Sequence, residues 1–206
     1  MFPHPNSGLS MRWLVTCVGL MMSLGMRALS LAAQGPAWVG AGAGIAMPSG
    51  SLSDEANPGW RALAALELGL PDLPASLRID AAYDRFGFKS APPGSAERET
   101  GARTIASASL SLSFGPSDSL ARVSPYVIAG VGMNRVGCAG RADCGTASQM
   151  GWSAGLGMRF PLLGRRGFAD ARLHCVVQEL SDACFVPVTV GLILWARNAS
   201  EVSDDR

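Results

Sequence analysis

Apolar residues alternate with small or polar residues along most of the chain, and this period of two is typical of β-strands with two different faces. The clearest case spans residues 150–160. One face of this segment carries Met150, Trp152, Ala154, Leu156, Met158 and Phe160. The other face carries Gly151, Ser153, Gly155, Gly157 and Arg159. The alternation therefore predicts a long strand whose two sides meet different surroundings.

Eight segments of this kind occur, separated by clusters of Gly, Pro, Asp and Ser that favour turns. We predict strands at residues 37–47, 59–70, 76–88, 102–114, 123–136, 150–160, 167–179 and 185–195. Most are about twice as long as the roughly 5–6 residues of a strand in a soluble protein. A tilted strand that crosses a bilayer needs about 9–11 residues. The lengths therefore favour membrane-spanning strands.

The joins between the predicted strands alternate in length. The joins after the first, third and fifth strands are long, at 48–58, 89–101 and 137–149. Those after the second, fourth and sixth strands are shorter, at 71–75, 115–122 and 161–166. The last join, 180–184, is short and departs from this pattern. Because membrane barrels carry long loops at one end and short turns at the other, we predict an all-β fold, an eight-stranded antiparallel up-and-down transmembrane β-barrel.

The faces opposite the apolar ones combine Gly and Ser with charged residues of both signs. Such residues can fill a narrow eight-stranded barrel, because small residues leave room for long ionic side chains. We predict a lumen charge network formed by Arg61, Glu67, Arg78, Asp80, Asp84, Arg159, Asp170, Arg172 and His174. The apolar faces would then contact lipid. The alternative is a secreted, lipocalin-like barrel that binds a small apolar ligand inside.

Aromatic residues lie mostly near the ends of the predicted strands, where membrane barrels place their interfacial girdles. Four of them share the apolar register, namely Trp60, Phe114, Trp152 and Phe160. Together with the inward charges, this placement favours a membrane barrel over a soluble one. The predicted location is the cell outer membrane.

The charge of this 206-residue chain is low and balanced. Only 16% of its residues are charged, whereas a soluble domain usually has about 25%. The 17 basic and 16 acidic residues nearly cancel, so no basic field would attract nucleic acid. We expect no nucleic-acid partner.

The first 35 residues have the features of an export signal. Met11 and Arg12 precede an uncharged apolar run at 14–26, and small residues near Ala32 and Ala33 provide a cleavage site. An uncleaved membrane anchor is the alternative, although Arg27 ends the run early. The predicted organisation is an N-terminal extension and signal peptide at 1–35, a barrel at 36–195 and a polar C-terminal tail at 196–206.

Four motifs carry a resemblance to a known family: "WVGAGAGIAMPSG", "SPYVIAGVGMNRVG", "GWSAGLGMRF" and "VPVTVGLILW". Together they resemble the small OmpA-like outer-membrane β-barrel proteins over the whole mature chain. The resemblance implies outer-membrane lipid and the barrel-assembly machinery as partners. It also implies an aromatic residue at the last outward position of the closing strand. The alternation in this chain departs from that pattern, because it puts Leu194 outward and Trp195 in the other register.

Four cysteines follow the export segment. Cys138 and Cys144 lie in one predicted outer loop, and exported proteins meet oxidising conditions, so we predict a disulfide that closes this loop. Zinc is not predicted there, because no His neighbours the two thiols. Cys175 and Cys184 flank the last hairpin, and the sequence leaves their pairing open, since Cys175 falls on the predicted lipid face.

His174 is the only His after the export segment and is predicted to face inward with Asp170 and Arg172. A catalytic base would need a nucleophile, and Ser153 or Ser111 is also predicted to face inward. We interpret His174 as a hydrogen-bonded member of the lumen network, and we predict no catalytic residue, no cofactor and no metal. A barrel enzyme that modifies lipids is the alternative.

The predicted function is structural or surface-interacting rather than enzymatic. Eight strands enclose an interior that side chains largely fill, so a wide pore is not expected. Envelope integrity, contact through the loops and a narrow conductance all stay open, and the sequence predicts no ligand.

Overall fold

A computed structural model describes residues 35–71, 73–89, 101–115, 123–139, 145–162, 164–177 and 183–197. Residues 1–34 of the predicted signal segment, residues 198–206 of the predicted tail and Cys144 lie outside these residues. The elements are β1 (Ala37–Ser49), α1 (Ser51–Glu55), β2 (Gly59–Gly69), β3 (Ala75–Gly87), β4 (Ala102–Phe114), β5 (Ser124–Ala139), β6 (Ala147–Leu162), β7 (Arg165–Val176) and β8 (Ala183–Arg197).

The strands form one closed barrel in sequence order, with every neighbouring pair antiparallel and β8 hydrogen-bonded to β1. The predicted all-β, eight-stranded antiparallel up-and-down fold is therefore confirmed. Closure leaves no sheet edge among these strands, so their backbone groups pair with one another.

The strand boundaries differ most from the prediction around the third outer connection. β5 continues to Ala139 and β6 already begins at Ala147, so the loop predicted at 137–149 shrinks to 140–146. The alternation of small and polar residues there is weaker, which hid the extra strand residues from the sequence pattern. The five-residue helix α1, within the predicted join 48–58, was not predicted either.

The two ends of the barrel differ. The terminal end contains Ala37 and Arg197, and one of its turns contains Gly164, which has φ +72°. The loop end contains the connections 50–58, 88–101, 140–146 and 177–182. At the loop end Gly50, with φ +57°, turns the chain into α1. Both glycines occupy the left-handed region that other residues rarely adopt.

The outer wall of the barrel is apolar over the middle of the strands. The side chains of Leu110, Val131 and Leu156 are 48%, 58% and 65% exposed. On each of their strands, the residues that alternate with these outward positions point inward. A water-soluble barrel would bury such residues, whereas a bilayer solvates them. The molecule therefore has the inside-out distribution of a membrane-spanning barrel.

Inward-facing glycines leave room for large side chains within the narrow lumen. A Cβ at Gly157 would collide with the ring of Tyr126 across the β5–β6 pair, and one at Gly191 would collide with the ring of Phe168. Glycine at these positions allows an aromatic ring to lie flat against the wall.

The aromatic residues divide between the two faces more evenly than a pure girdle requires. Trp60, Phe114 and Trp152 are exposed on the wall, as predicted. The inward aromatics fill the lumen instead, and they are Trp38, Phe86, Tyr126, Phe168 and Phe185. Their position near strand ends reflects packing inside the barrel rather than contact with an interface.

The prediction that Trp195 takes the inward register is wrong. The β1–β8 register shifts between Val39 and Gly40, so Trp195 pairs with Val39 whereas Ile193 pairs with Gly40. Leu194 is the extra residue of this β-bulge. Since Val39 faces outward, Trp195 does too, and 52% of its surface is exposed. The bulge therefore gives the closing strand an outward aromatic residue near its end.

Among the described residues, no helix is long and apolar enough to cross a membrane.

Candidate functional site

The centre of the lumen contains a ring of four charged side chains from opposite walls of the barrel. Arg78 and Asp80 project from β3, whereas Asp170 and Arg172 project from β7. Arg78 contacts Asp80 at 2.8 Å and Asp170 at 3.1 Å. Arg172 contacts Asp80 at 2.8 Å and Asp170 at 3.1 Å. Each arginine thus bridges both aspartates, and the ring ties β3 to β7 across the lumen.

Aromatic side chains enclose this ring. The guanidinium carbon of Arg78 lies 5.3 Å from the centre of the Trp38 ring and 5.0 Å from that of Phe168. Such distances allow cation–π attraction. The hydroxyl of Tyr126 accepts a hydrogen bond from Arg78 at 3.3 Å and donates one to Asp170 at 3.4 Å. Arg78, which is fully buried, therefore has polar and aromatic partners around its guanidinium group.

Two further ion pairs extend the network along the lumen. Arg61 of β2 lies 3.3 Å from both carboxylate oxygens of Asp84 on β3. Arg159 of β6 donates a hydrogen bond to Glu67 of β2, which lies on the opposite wall. The guanidinium of Arg159 also lies 4.7 Å from the Tyr126 ring centre.

The charged side chains of the lumen balance. Those buried among the described residues are the four arginines Arg61, Arg78, Arg159 and Arg172 and the four carboxylates Glu67, Asp80, Asp84 and Asp170. All eight belong to the predicted lumen set, and the structure brings each into an ion pair with another member. A buried charge is costly unless an opposite charge compensates it, and each of these eight charges has an oppositely charged partner.

His174, the ninth predicted member, is buried and does not join an ion pair among the described residues. Its Nε2 lies 2.9 Å from Oδ1 of Asn134 on β5. Its ring centre lies 4.9 Å from that of Phe185. Asn134 was not singled out in the sequence; an inward register position on β5 was the only signal that could have found it.

The loop end of the lumen is closed by an apolar cluster that we call the apolar plug. Leu52 of α1 is 1% exposed and inserts among side chains of the barrel wall. The other members of the plug are Ala46, Ala56, Phe86, Ile105, Val176, Ala183 and Phe185. Because Leu52 of α1 packs among these apolar side chains at the loop end of the lumen, α1 covers the mouth of the barrel.

Polar contacts hold α1 over the mouth. Arg103 of β4 donates to Glu55 at 2.9 Å. The backbone N–H of Lys89 donates to the carbonyl oxygen of Glu55 at 2.9 Å, and the Asn57 side chain donates to the carbonyl oxygen of Phe88 at 3.1 Å. The first outer connection is thereby attached to the end of β3.

The structure shows whether Cys175 and Cys184 pair, which the sequence left open. Cys175 and Cys184 lie directly opposite each other on β7 and β8 and form a disulfide at the loop end. Cys175 is buried although its register is outward. Cys138 lies in β5 and is disulfide-bonded. Since Cys144 lies outside the described residues, the predicted Cys138–Cys144 pairing stays a prediction.

No group of three or more potential metal ligands occurs in the described ranges. Ser153 lies opposite His174 in the β6–β7 pair, but the described hydrogen-bond partner of His174 is Asn134. The charged lumen residues form balanced ion pairs around aromatic rings, and among the described residues no hydrogen bond joins a nucleophile to the His174 ring.

No family model matches the chain, and no curated protein matches it in sequence. Solved structures do match. Neisserial surface protein A has 18% identity and a TM-score of 0.57, and the match covers 78% of this chain and 99% of that one. The attachment invasion locus protein Ail of Yersinia pestis has 13% identity and a TM-score of 0.48, covering 79% of this chain and 99% of that one.

The N-terminal β-barrel domain of Pseudomonas aeruginosa OprF has 15% identity and a TM-score of 0.43, with coverage of 75% and 95%. These neighbours are small eight-stranded outer-membrane barrels. The match to the Neisserial protein shows that this chain shares its fold, so the fold expected from the resemblance is confirmed.

Proposed function

We propose that this protein is a bacterial outer-membrane barrel whose role is structural or surface-interacting, and that it is neither a wide pore nor an enzyme. The observation that carries the proposal is the filled lumen. Ion pairs cross it from β3 to β7 and from β2 to β6, and the apolar plug closes its loop end. Function then depends on the outer wall and the loop end.

The outer wall supports a location in the outer membrane, with lipid as its permanent partner. Exposed Leu, Val, Met and Trp side chains cover the wall, and an aqueous surface would leave a large apolar area in water. In this arrangement the loop end faces the cell exterior and the terminal end faces the periplasm. The name of the Neisserial neighbour, a surface protein, agrees with this orientation.

Membrane fractionation tests the location. We expect the mature chain to stay in the membrane pellet after high salt and carbonate, and to be released by detergent. The folded barrel should also migrate differently from the boiled chain on a denaturing gel, because the closed sheet resists detergent unless heated. A mature chain that is soluble in buffer without detergent would reverse the proposal in favour of a secreted barrel.

Liposome swelling tests the absence of a wide pore. Vesicles that contain the refolded protein should swell in a small sugar no faster than protein-free vesicles, because side chains occupy the lumen. A matched sample with a general porin supplies the positive control. Swelling at the porin's rate would overturn the proposed role.

The outward Trp195 supports recognition by the barrel-assembly machinery, as the resemblance implies. We expect Trp195→Ala to lower the heat-modifiable fraction in cells, whereas Leu194→Ala, at the neighbouring position of the bulge, should leave it nearly unchanged. Equal loss in both variants would indicate that the bulge packing, and not the aromatic residue, controls assembly.

The enzyme alternative predicts that His174 is required for activity on lipids. The hydrogen bond between His174 and Asn134 favours a structural role instead. Purified protein incubated with outer-membrane lipid should leave the lipid mass spectrum unchanged. A product that disappears in His174→Ala would establish the enzyme.

A further inference from the structure

Two arginines interrupt the apolar outer wall at one place near the loop end. Arg85 of β3 and Arg135 of β5 both face outward and are exposed. Each occupies the first outward position beyond an apolar series, after Tyr83 on β3 and after Met133 on β5. They therefore lie at the level where a bilayer's hydrocarbon gives way to headgroups.

The sheet register brings the two arginines together. Arg85 is opposite Thr104 on β4, and Arg135 is opposite Ala106 on the same strand. By ordinary strand spacing their Cα atoms are about 12 Å apart. At this separation, two long arginine side chains can reach the same anionic group or two neighbouring ones.

The protein itself does not neutralise this pair within the described residues. Neither arginine forms a described ion pair, and no described carboxylate faces outward on β3, β4, β5 or β6. By contrast, Arg103 at the same end is paired with Glu55. Two unneutralised guanidinium groups at a membrane boundary favour an anionic partner whose oxygens accept paired hydrogen bonds from guanidinium, such as phosphate.

The wall beneath Arg135 also has room for a hydrocarbon chain. A groove of about 310 Å³ is lined by the apolar residues Ala106, Ala108 and Met133 and by the polar residues Ser107, Asn134, Arg135 and Ser148. The lining is mostly apolar. An aromatic pair, Trp60 and Tyr83, with ring centres 5.5 Å apart, lies beside Arg85.

We propose that Arg85, Arg135 and this groove form a binding site for a phosphorylated glycolipid of the outer leaflet, with its phosphates on the arginines and one acyl chain in the groove. The site rests on the proposed membrane location, since the loop end must face the exterior. A glycolipid fits better than a simple phospholipid because two phosphates on one sugar backbone match two separated arginines.

Native mass spectrometry of the refolded, detergent-solubilised barrel tests the site. The probe is synthetic lipid A with two phosphates, compared with the same lipid without phosphates and with phosphatidylglycerol. We expect the wild type to retain the diphosphorylated lipid, and to retain each of the other two at least about tenfold less, since charge-assisted hydrogen bonds are lost.

Variants distinguish the contribution of the two arginine charges from that of the groove. Arg85→Gln combined with Arg135→Gln should reduce retention by at least about tenfold. Arg165→Gln combined with Arg166→Gln removes the same charge at the terminal end and should leave retention unchanged. Ala106→Phe fills the groove without changing charge and should also reduce retention.

Equal retention of phosphatidylglycerol, or equal loss in both double variants, would overturn the glycolipid site. The heat-modifiable gel shift is measured on every sample. A wild type that shows the shift but retains no lipid A refutes the site alone, whereas a chain that shows no shift and stays soluble refutes the membrane location and the site together.

Discussion

The lumen and the outer wall are built from the same eight strands, yet they obey opposite rules. In β4, Ser111 is buried in the lumen whereas its neighbours Leu110 and Leu112 are exposed on the wall. In the lumen, charged groups are stable because they form ion pairs; on the wall, apolar groups are stable because lipid replaces water. A single residue step along a strand therefore changes which side chain is tolerated.

The contrast also explains where charge is placed. Eight buried charges occupy the lumen in ion pairs, whereas the outward arginines of β3 and β5 lie beyond the apolar part of the wall. A charge is acceptable in this molecule either with a partner inside or at the membrane boundary outside. The following substitutions test this rule, from the largest expected effect to the smallest.

Removing one member of the central ring should have the largest effect. Arg78→Ala leaves Asp80 and Asp170 with one arginine between them, and breaking a buried pair on one side costs about 3–5 kcal/mol. Urea unfolding from lipid vesicles, followed by tryptophan fluorescence and gel mobility, measures the loss. The control Arg85→Ala removes an outward arginine and should change the free energy of unfolding by less than about 1 kcal/mol. Equal losses would contradict the distinction between lumen and wall.

A charge placed in the middle of the wall should have the next largest effect. Leu110→Arg should lower the free energy of unfolding in vesicles by about 2–4 kcal/mol, because the guanidinium would enter hydrocarbon. Thr104→Arg, on the same face of β4 but near the loop end, should cost only about 0–1 kcal/mol. A near-zero cost for both variants would indicate that water, and not lipid, contacts this wall.

Adding volume to the lumen should have a smaller effect. Gly157→Val places a side chain against the ring of Tyr126, and overpacking of this kind costs about 1–3 kcal/mol. The neighbouring outward substitution Met158→Val should cost less, because lipid chains can fill the space. The same vesicle unfolding assay compares the two. If Gly157→Val were neutral, the lumen would contain more free space than the structure has.

Much of the barrel was predictable from the sequence because a strand's period of two is a local property. Leu156 and Phe114 were assigned to the apolar faces, and the structure exposes both on the wall. The ends of the strands were less predictable: β5 and β6 extend toward each other through Gly137 and Ser148, where no strong alternation continues. The alternation pattern identified the two faces of each strand, but not the residue at which its pairing with the neighbouring strand stops.

The charged residues of the candidate site could be predicted from the sequence, but their arrangement in space could not. Inward register and charge selected Arg78, Asp80, Asp170 and Arg172 without showing that they form one ring. That ring depends on β3 and β7 lying opposite each other, which follows only from closure of eight strands with a particular stagger. Leu52 was missed for a related reason, because a loop residue enters the plug only after the loop folds back over the mouth.

The sequence by itself determined the fold class, the eight strands and, over the regular middle part of each strand, the side of the sheet on which a residue lies. Only the tertiary structure decided which charges pair, that Cys175 joins Cys184, and that a bulge turns Trp195 outward. The physical reason is the range of the interactions. Alternation follows from the backbone of one strand, whereas ion pairs, disulfides and bulges depend on the register between strands that are distant in the chain.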